Sequence, residues 1–449
     1  MWHAKSVRVL VILVMVMGAL AVGILSPPSV PSLSTGTASA DPAVPNPGHP
    51  YDDIELPGGT WTGLDADKLD GLDASQLDVP SRPGFSLTTL DSTGDIGYDT
   101  SVTVGADGLP IISYLDSTNY DLKVAHCGNV TCSSSTTTTV DGSTDNVGLN
   151  TSVTVGADGL PIISYLDVTG WNLKVAHCGD AACTSGNTIT TVDSTDNVGI
   201  STSVTVGRDG LAIISYYDGT NGNLKVAHCG NVTCTSGNTI TTVDSTDNVG
   251  LYTSVTVGAD GLPIISYYDS TNGDLKVAHC GNADCTSGNT ITTLDGDFDP
   301  FPDVGKYTSV TVGTDGRAII SYYDQTNGNL KVAHCDGLTC GSSINTTVDS
   351  STDNVGLYTS VTVGADGLAI ISYYDQTNFD LKVAHCGGVD CAGVNTKTTV
   401  DSIGNVGQNS SVTVGADGLG LISYRDVTNW DLKVAHCSNR FCVPYNRPR

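Results

Sequence analysis

Ser203-Val204-Thr205-Val206-Gly207-Arg208-Asp209-Gly210-Leu211-Ala212-Ile213-Ile214-Ser215-Tyr216-Tyr217-Asp218-Gly219-Thr220-Asn221-Gly222-Asn223-Leu224-Lys225-Val226-Ala227-His228-Cys229 is one of seven near-copies of a single unit. Ser203 to Val206 reads as a strand, Arg208-Asp209-Gly210 as a turn and Leu211 to Tyr217 as a second strand. Asp218 to Gly222 turns the chain into a third strand ending at Cys229, and Thr239 to Val243 forms a fourth. Each run is short, rich in β-branched or aromatic residues, and bounded by Asp, Asn and Gly. The unit is therefore a four-stranded antiparallel meander.

The segment Leu-Lys-Val-Ala-His-Cys marks the copies, with its histidine at His126, His177, His228, His279, His334, His385 and His436. Successive steps are 51, 51, 51, 55, 51 and 51 residues. Four strands in about fifty residues is the size of a propeller blade, whereas solenoid rungs carry fewer strands in fewer residues. The two ends of the repeat region support the same choice. Leu87-Thr88-Thr89-Leu90-Asp91 matches the fourth strand of a unit, as in Ile240-Thr241-Thr242-Val243-Asp244, while the last unit stops after its third strand at Cys437. Seven complete blades result only if the N-terminal strand joins the C-terminal blade, which closes a ring and removes the open edge. The expected fold is all-β, a seven-bladed β-propeller.

On these features the chain resembles secreted seven-bladed β-propellers over residues 86–442. The resemblance is one of architecture: there is no Trp-Asp blade ending, no sialidase-type Asp box and no integrin-type calcium loop. Before the ring, residues 1–40 have the layout of a secretory signal peptide. Lys5 and Arg8 precede an apolar run from Val9 to Leu25, and Ala38-Ser39-Ala40 offers a small-residue cleavage site. Left uncleaved, the same segment is a membrane anchor. Residues 41–85, with Pro42, Pro45, Pro47, Pro50, Pro80 and Pro83, read as an acidic, extended linker or stalk, and 443–449 as a C-terminal tail. The expected location is secreted or at the extracellular surface.

All fourteen cysteines form C-x4-C pairs: Cys127 with Cys132, Cys178 with Cys183, Cys229 with Cys234, Cys280 with Cys285, Cys335 with Cys340, Cys386 with Cys391 and Cys437 with Cys442. An even count at regular spacing in an exported chain implies within-blade disulfides. Six of them would pin the connection from strand three to strand four, and the seventh would tie down the C-terminal tail. A zinc-like site is disfavoured because an adjacent His and Cys on a strand point to opposite faces. The seven histidines read most simply as polar residues packed between blades.

Charge narrows the partners. The 449 residues contain 47 acids, all but Glu55 aspartates, against 19 Lys and Arg, for a formal charge of -28. Such a surface repels phosphate backbones, so nucleic acid is excluded as a partner. Most of the aspartates are turn residues repeated in every copy. Asp116, Asp167, Asp218, Asp269, Asp324, Asp375 and Asp426 end the second strands and ring one face, where their oxygens are candidate calcium ligands; no other cofactor is implied.

Departures from the repeat are the places to look for function. At the tips of the hairpins on the acidic face, blades 1, 2, 6 and 7 carry Tyr120, Trp171, Phe379 and Trp430, an arc of aromatics suited to stacking on sugars or anchoring a protein. The long connection between blades 4 and 5 adds Asp297, Phe298, Asp299, Phe301 and Asp303. No catalytic set stands out, because near-identical blades place the same group seven times around the ring. The sequence thus leads one to expect a non-enzymatic binding propeller for an extracellular glycan or protein, with a structural surface scaffold as the alternative and a propeller-type hydrolase or lyase as the third reading.

Overall fold

A computed structural model describes residues 84–296 and 302–444. The signal-like segment, most of the linker, the last five residues of the tail and five residues of the inserted connection (Asp297, Phe298, Asp299, Pro300 and Phe301) lie outside the described residues. Within them the chain is a seven-bladed β-propeller: 28 strands in seven antiparallel four-stranded sheets.

Blade 1 shows the plan, with β2 (Ile96–Val104) at the axis, then β3 (Pro110–Asp116), β4 (Asp121–Cys127) and β5 (Ser135–Asp141) outward. The last blade runs β26 (Val406–Val414), β27 (Gly420–Asp426), β28 (Asp431–Cys437) and then β1 (Phe85–Asp91). β1 pairs antiparallel with β28 from Phe85 opposite Cys437 to Asp91 opposite Leu432, so the N-terminal strand does complete the C-terminal blade.

The second strand of every blade is buried along its whole length, as in Ala212–Asp218. Both of its faces are covered by neighbouring blades, which is why Ile-Ile-Ser-Tyr-Tyr shows no alternation of apolar and polar residues. Each core cluster spans two blades: Ile213, Leu224 and Val226 of blade 3 pack with Val255, Ile265 and Tyr267 of blade 4.

The seven cysteine pairs are disulfides, and all fourteen cysteines are fully buried. Each closes a loop of about six residues and contributes about 2 kcal/mol on the loop-entropy model. The second member of each pair (Cys132, Cys183, Cys234, Cys285, Cys340, Cys391 and Cys442) follows the third strand in a left-handed turn at φ 51 to 55°. Its N–H donates to the carbonyl three residues back, as from Cys234 to Asn231 at 3.0 Å. These residues do more than pin the link to the fourth strand, because they also enter the cores between blades. Cys234 of blade 3, for example, belongs to the cluster that holds Ile162, Leu173 and Val175 of blade 2.

Polar clasps lock each blade to the next. Asp193, the last residue of the fourth strand of blade 2, accepts the hydroxyl of Tyr216 at 2.7 Å and the ammonium of Lys225 at 2.6 Å, both from blade 3. The same Asp–Tyr–Lys arrangement recurs at all seven junctions, including the closing one, where Asp91 of β1 receives Tyr114 and Lys123 of blade 1. Closer to the axis, the Thr202 hydroxyl donates to Ser164 of the preceding blade at 2.8 Å, and the Val204 N–H donates to Ser152 at 3.1 Å.

Burial alone would raise the clasp carboxylates. The hydrogen bonds and charge of the lysine, with the tyrosine and local backbone donors, outweigh it and hold Asp91, Asp141, Asp193, Asp244 and Asp349 below the ordinary value of 3.8. A depressed carboxylate stabilises the fold above its unfolded pKa, and that stabilisation is lost as pH falls through the folded value. Thermal unfolding followed by circular dichroism is therefore expected to show a plateau above about pH 4 and a steep loss below it. Lys225→Met, which strands Asp193 in the junction, is expected to lower the unfolding free energy by about 3 kcal/mol in chemical denaturation; a change under about 0.5 kcal/mol, the surface-substitution range, would show that the clasp carries little of the stability.

Candidate functional site at the propeller axis

The innermost strands are longer than their sequence suggests, because each opens with a bulge. In blade 1 the register from Val104 opposite Pro110 to Ser101 opposite Ser113 is regular, then slips twice to place Tyr98 opposite Leu115 and Ile96 opposite Asp116. Asp99 sits in the slip with φ 48°. Its counterparts Asn150, Ser201, Tyr252, Tyr307, Tyr358 and Asn409 share that left-handed backbone, at φ 50 to 54°. Bulges of this kind kink a strand and re-aim a side chain, and these seven residues line a well at the axis.

The well has a volume of about 190 Å³. Thr100, Thr151, Thr202, Thr253, Thr308, Thr359 and Ser410 complete its lining, their hydroxyls already bonded to serines of the preceding blades. The well is smaller than the roughly 300–1,000 Å³ of drug-sized ligand sites, so it accommodates a single small ring or group.

Its two sides differ. On blades 4, 5 and 6, Tyr252, Tyr307 and Tyr358 form a continuous aromatic wall, with ring centres 4.6 and 4.7 Å apart. Opposite stands Asp99, the one carboxylate among the lining residues. Oδ2 accepts the Asn150 N–H at 2.7 Å and the Asn150 side-chain amide at 3.1 Å, while Oδ1 accepts the Asn409 amide at 2.9 Å. Asp99 is half-buried, its exposed part facing the well. Burial raises its pKa, against the lowering pull of the Asn150 hydrogen bonds and the Arg425 charge. Arg425 offsets only part of the burial because its guanidinium donates to Asp95 at 2.7 Å and stacks on the Tyr98 ring at 3.5 Å. Tyr307 and Tyr358 are pushed up by burial, Tyr307 further so by the neighbouring tyrosines, and stay protonated.

A second cavity, of about 400 Å³, adjoins the well. Tyr252 and Tyr307 line both, and Lys306, Tyr323, Gln325, Asn354, Leu357 and Gln376 complete it.

The residues singled out from sequence fall elsewhere. Tyr120, Trp171, Phe379 and Trp430 are 40 to 56% exposed at their hairpin tips, in left-handed conformations that glycine supplies in blades 3 to 5. Asp218 caps its own hairpin, Oδ1 accepting the N–H groups of Thr220 and Asn221 and Oδ2 the Asn221 amide, and Asp116, Asp269, Asp375 and Asp426 repeat this pattern, while the Asp324 carboxylate accepts the N–H and amide of Asn327. Asp167 does the same toward Gly170 and Asn172. Among the described residues no group of three or more His, Cys, Asp or Glu side chains converges as a metal ion requires. Asp303 accepts Tyr268 and Lys306, each at 2.8 Å.

One expectation is refined and one corrected by this geometry. Each histidine Nε2 lies 2.8 to 3.0 Å from the Asp of its own blade's first turn, as in His228 and Asp209, while His385 also packs edge-on against Phe441 of the next blade with ring centres 5.1 Å apart. The ring does not repeat one group seven times where it matters, since the bulge position reads Asp, Asn, Ser, Tyr, Tyr, Tyr, Asn around the axis. That variation was visible in the residue two places before each Ser-Val-Thr-Val, but a strand begun at Ser203 leaves it in the loop.

No family model matches the sequence, and no curated protein matches it. Solved structures similar to this chain include propeller glycosidases. An α-L-arabinanase of Penicillium chrysogenum complexed with arabinobiose is 12% identical, with TM-score 0.48 over 79% of this chain and 96% of that one. A GH93 α-L-arabinofuranosidase of Fusarium graminearum is 13% identical, with TM-score 0.44 over 64% and 92%. A sialidase of Streptococcus pneumoniae is 9% identical, with TM-score 0.47 over 80% and 71%. At these identities the likeness concerns the fold. The expectation of a non-enzymatic binder is corrected on this geometry, since its premise of seven equivalent groups fails at the axis.

Because the folded pKa of Asp99 is raised, the folded state holds its proton more tightly than the unfolded chain, and the group lowers stability once pH rises above about 4. Asp99→Asn is accordingly expected to raise the melting temperature at pH 7 and leave it unchanged at pH 3, with Asn409 turning its amide to accept. An equal shift at both pH values would show that the substitution acts through packing and not through the buried charge.

Proposed function

We propose that the protein is an exported hydrolase acting on glycans, with the axial well as its reaction centre and Asp99 as its acid–base group. The observation that carries this reading is the opposition, across a well the size of one small ring, of a single half-buried carboxylate and a wall of three tyrosines. Aromatic rings offer an apolar face for a sugar, and a carboxyl group whose pKa is raised retains a proton to donate to a departing glycosidic oxygen. Tyr307 and Tyr358, kept protonated by burial, serve as wall and hydrogen-bond donors, not as nucleophiles.

Glycosidases that use paired carboxylates place a second one beside the scissile bond. The well supplies one, so the attack on the anomeric carbon falls to water or to a neighbouring group of the sugar. The proton leaving Asp99 goes to the departing oxygen, and the water that finally adds to the anomeric carbon returns one to the carboxylate. Tyr120, Trp171, Phe379 and Trp430 provide outlying platforms for a polymer whose reacting ring sits at the axis. Export is supported by the seven disulfides, which persist in oxidising compartments.

Reducing-end release from arabinan, xylan, β-glucan and N-acetylhexosamine polymers is the test. Turnover of at least one polymer is expected, falling at least 100-fold in Asp99→Asn, the lower bound for loss of a general acid. Turnover that survives the substitution, or none on any polymer, would overturn the assignment.

A further inference from the structure

The departures of blades 5 and 6 from the other five converge on the second cavity. Lys306 stands where the other blades have Tyr98, Leu149, Ile200, Leu251, Leu357 and Gln408, and Gln325 and Gln376 stand where they have Ser117, Val168, Gly219, Ser270 and Val427. Blades without these residues fold the same way, so the fold does not require them.

The three side chains are held as a set. Asn354 accepts the Tyr323 hydroxyl at 2.7 Å and donates to the Gln376 carbonyl oxygen at 2.7 Å, and Lys306 donates to the Gln325 carbonyl oxygen and to Asp303. Each glutamine thus uses its oxygen within the protein and keeps an amide NH2 without a partner among the described residues. Both glutamines are exposed. Aromatic faces beside fixed amide donors match a sugar ring, whose faces are apolar and whose rim is hydroxyls.

Building on the glycan reading above, we propose that the cavity between blades 5 and 6 is a second sugar subsite, through which a neutral oligosaccharide chain leaves the axial well across Tyr252 and Tyr307. Those two rings line both spaces, so one chain contacts them on its way out. The preference for a neutral chain follows from charge: Lys306 is already matched by Asp303 at 2.8 Å, and a protein at -28 repels polyanions. Lys306 and Asn354 act here as positioning residues for the two glutamines.

The test is isothermal titration of the full chain in the Asp99→Asn background with xylo- and arabino-oligosaccharides of one to six rings, with trigalacturonate as the anionic probe. Wild-type turnover is measured alongside. Affinity for at least one neutral ladder is expected to rise tenfold or more from one ring to three, and Gln325→Ala/Gln376→Ala to remove at least fivefold of that gain. Single-ring affinity and melting temperature should be unchanged. Chain-length dependence that survives the double substitution, tighter binding of trigalacturonate than of neutral trimers, or no binding by either ladder overturns the subsite. Loss of the gain without any wild-type turnover supports the subsite while defeating the hydrolase assignment, so the two readings fail separately.

Discussion

The Asp–Tyr–Lys clasp at each blade junction is the interaction on which the ring depends. Apolar packing brings adjacent blades together but is tolerant of sliding and tilt. A carboxylate shared by a buried hydroxyl and a buried ammonium is not tolerant, because each group left unpaired there would carry a desolvation penalty of several kcal/mol. Asp193, Tyr216 and Lys225 must therefore meet within hydrogen-bond distance, and seven such requirements set the angle between blades. The closing junction obeys the same rule, which makes β1 more than an edge cover: its Asp91 accepts the Tyr114 hydroxyl at 2.7 Å and the Lys123 ammonium at 2.6 Å.

This also settles what most of the aspartates do. Those at the ends of second strands satisfy their own hairpins, those in the first turns face histidines, and those at the ends of fourth strands close the clasps. The large negative charge is thus largely local structure repeated seven times. The lysine in Leu-Lys-Val-Ala-His-Cys belongs to the same scheme, which is why it recurs in every copy on an otherwise acidic chain.

The ring was legible in the sequence for a physical reason: a repeat fixes strand count, and a missing fourth strand at one end matched by a spare one at the other admits one closed solution. The axial site was not, because alternation is the signal for a strand and the bulge breaks it. Asp99 to Ser101 interrupts the two-residue period of β2, so the regular part appears to begin at Ser101 and the variable residue to precede it. The histidines' aspartate partners were hidden for a related reason, since they lie 19 residues away in the chain and no local pattern announces the pairing. The exposed aromatics were found correctly as exposed, being turn residues with no such interruption.

Asp99 and Asp193 show how one residue type serves opposite ends in this molecule. Asp193 is buried and Asp99 half-buried, and in both desolvation pulls the pKa up. Asp193 meets an ammonium at 2.6 Å, which reverses the shift and turns the carboxylate into a source of stability. Asp99 meets amides, while the nearby guanidinium of Arg425 is taken up by Asp95, so the shift stands and the folded state holds the proton. A fold optimised only for stability would place a lysine at the axis as it does at every junction. The well's lining holds no lysine, in a chain that supplies seven lysines to the junction carboxylates, so Asp99 keeps the shift that desolvation gives it.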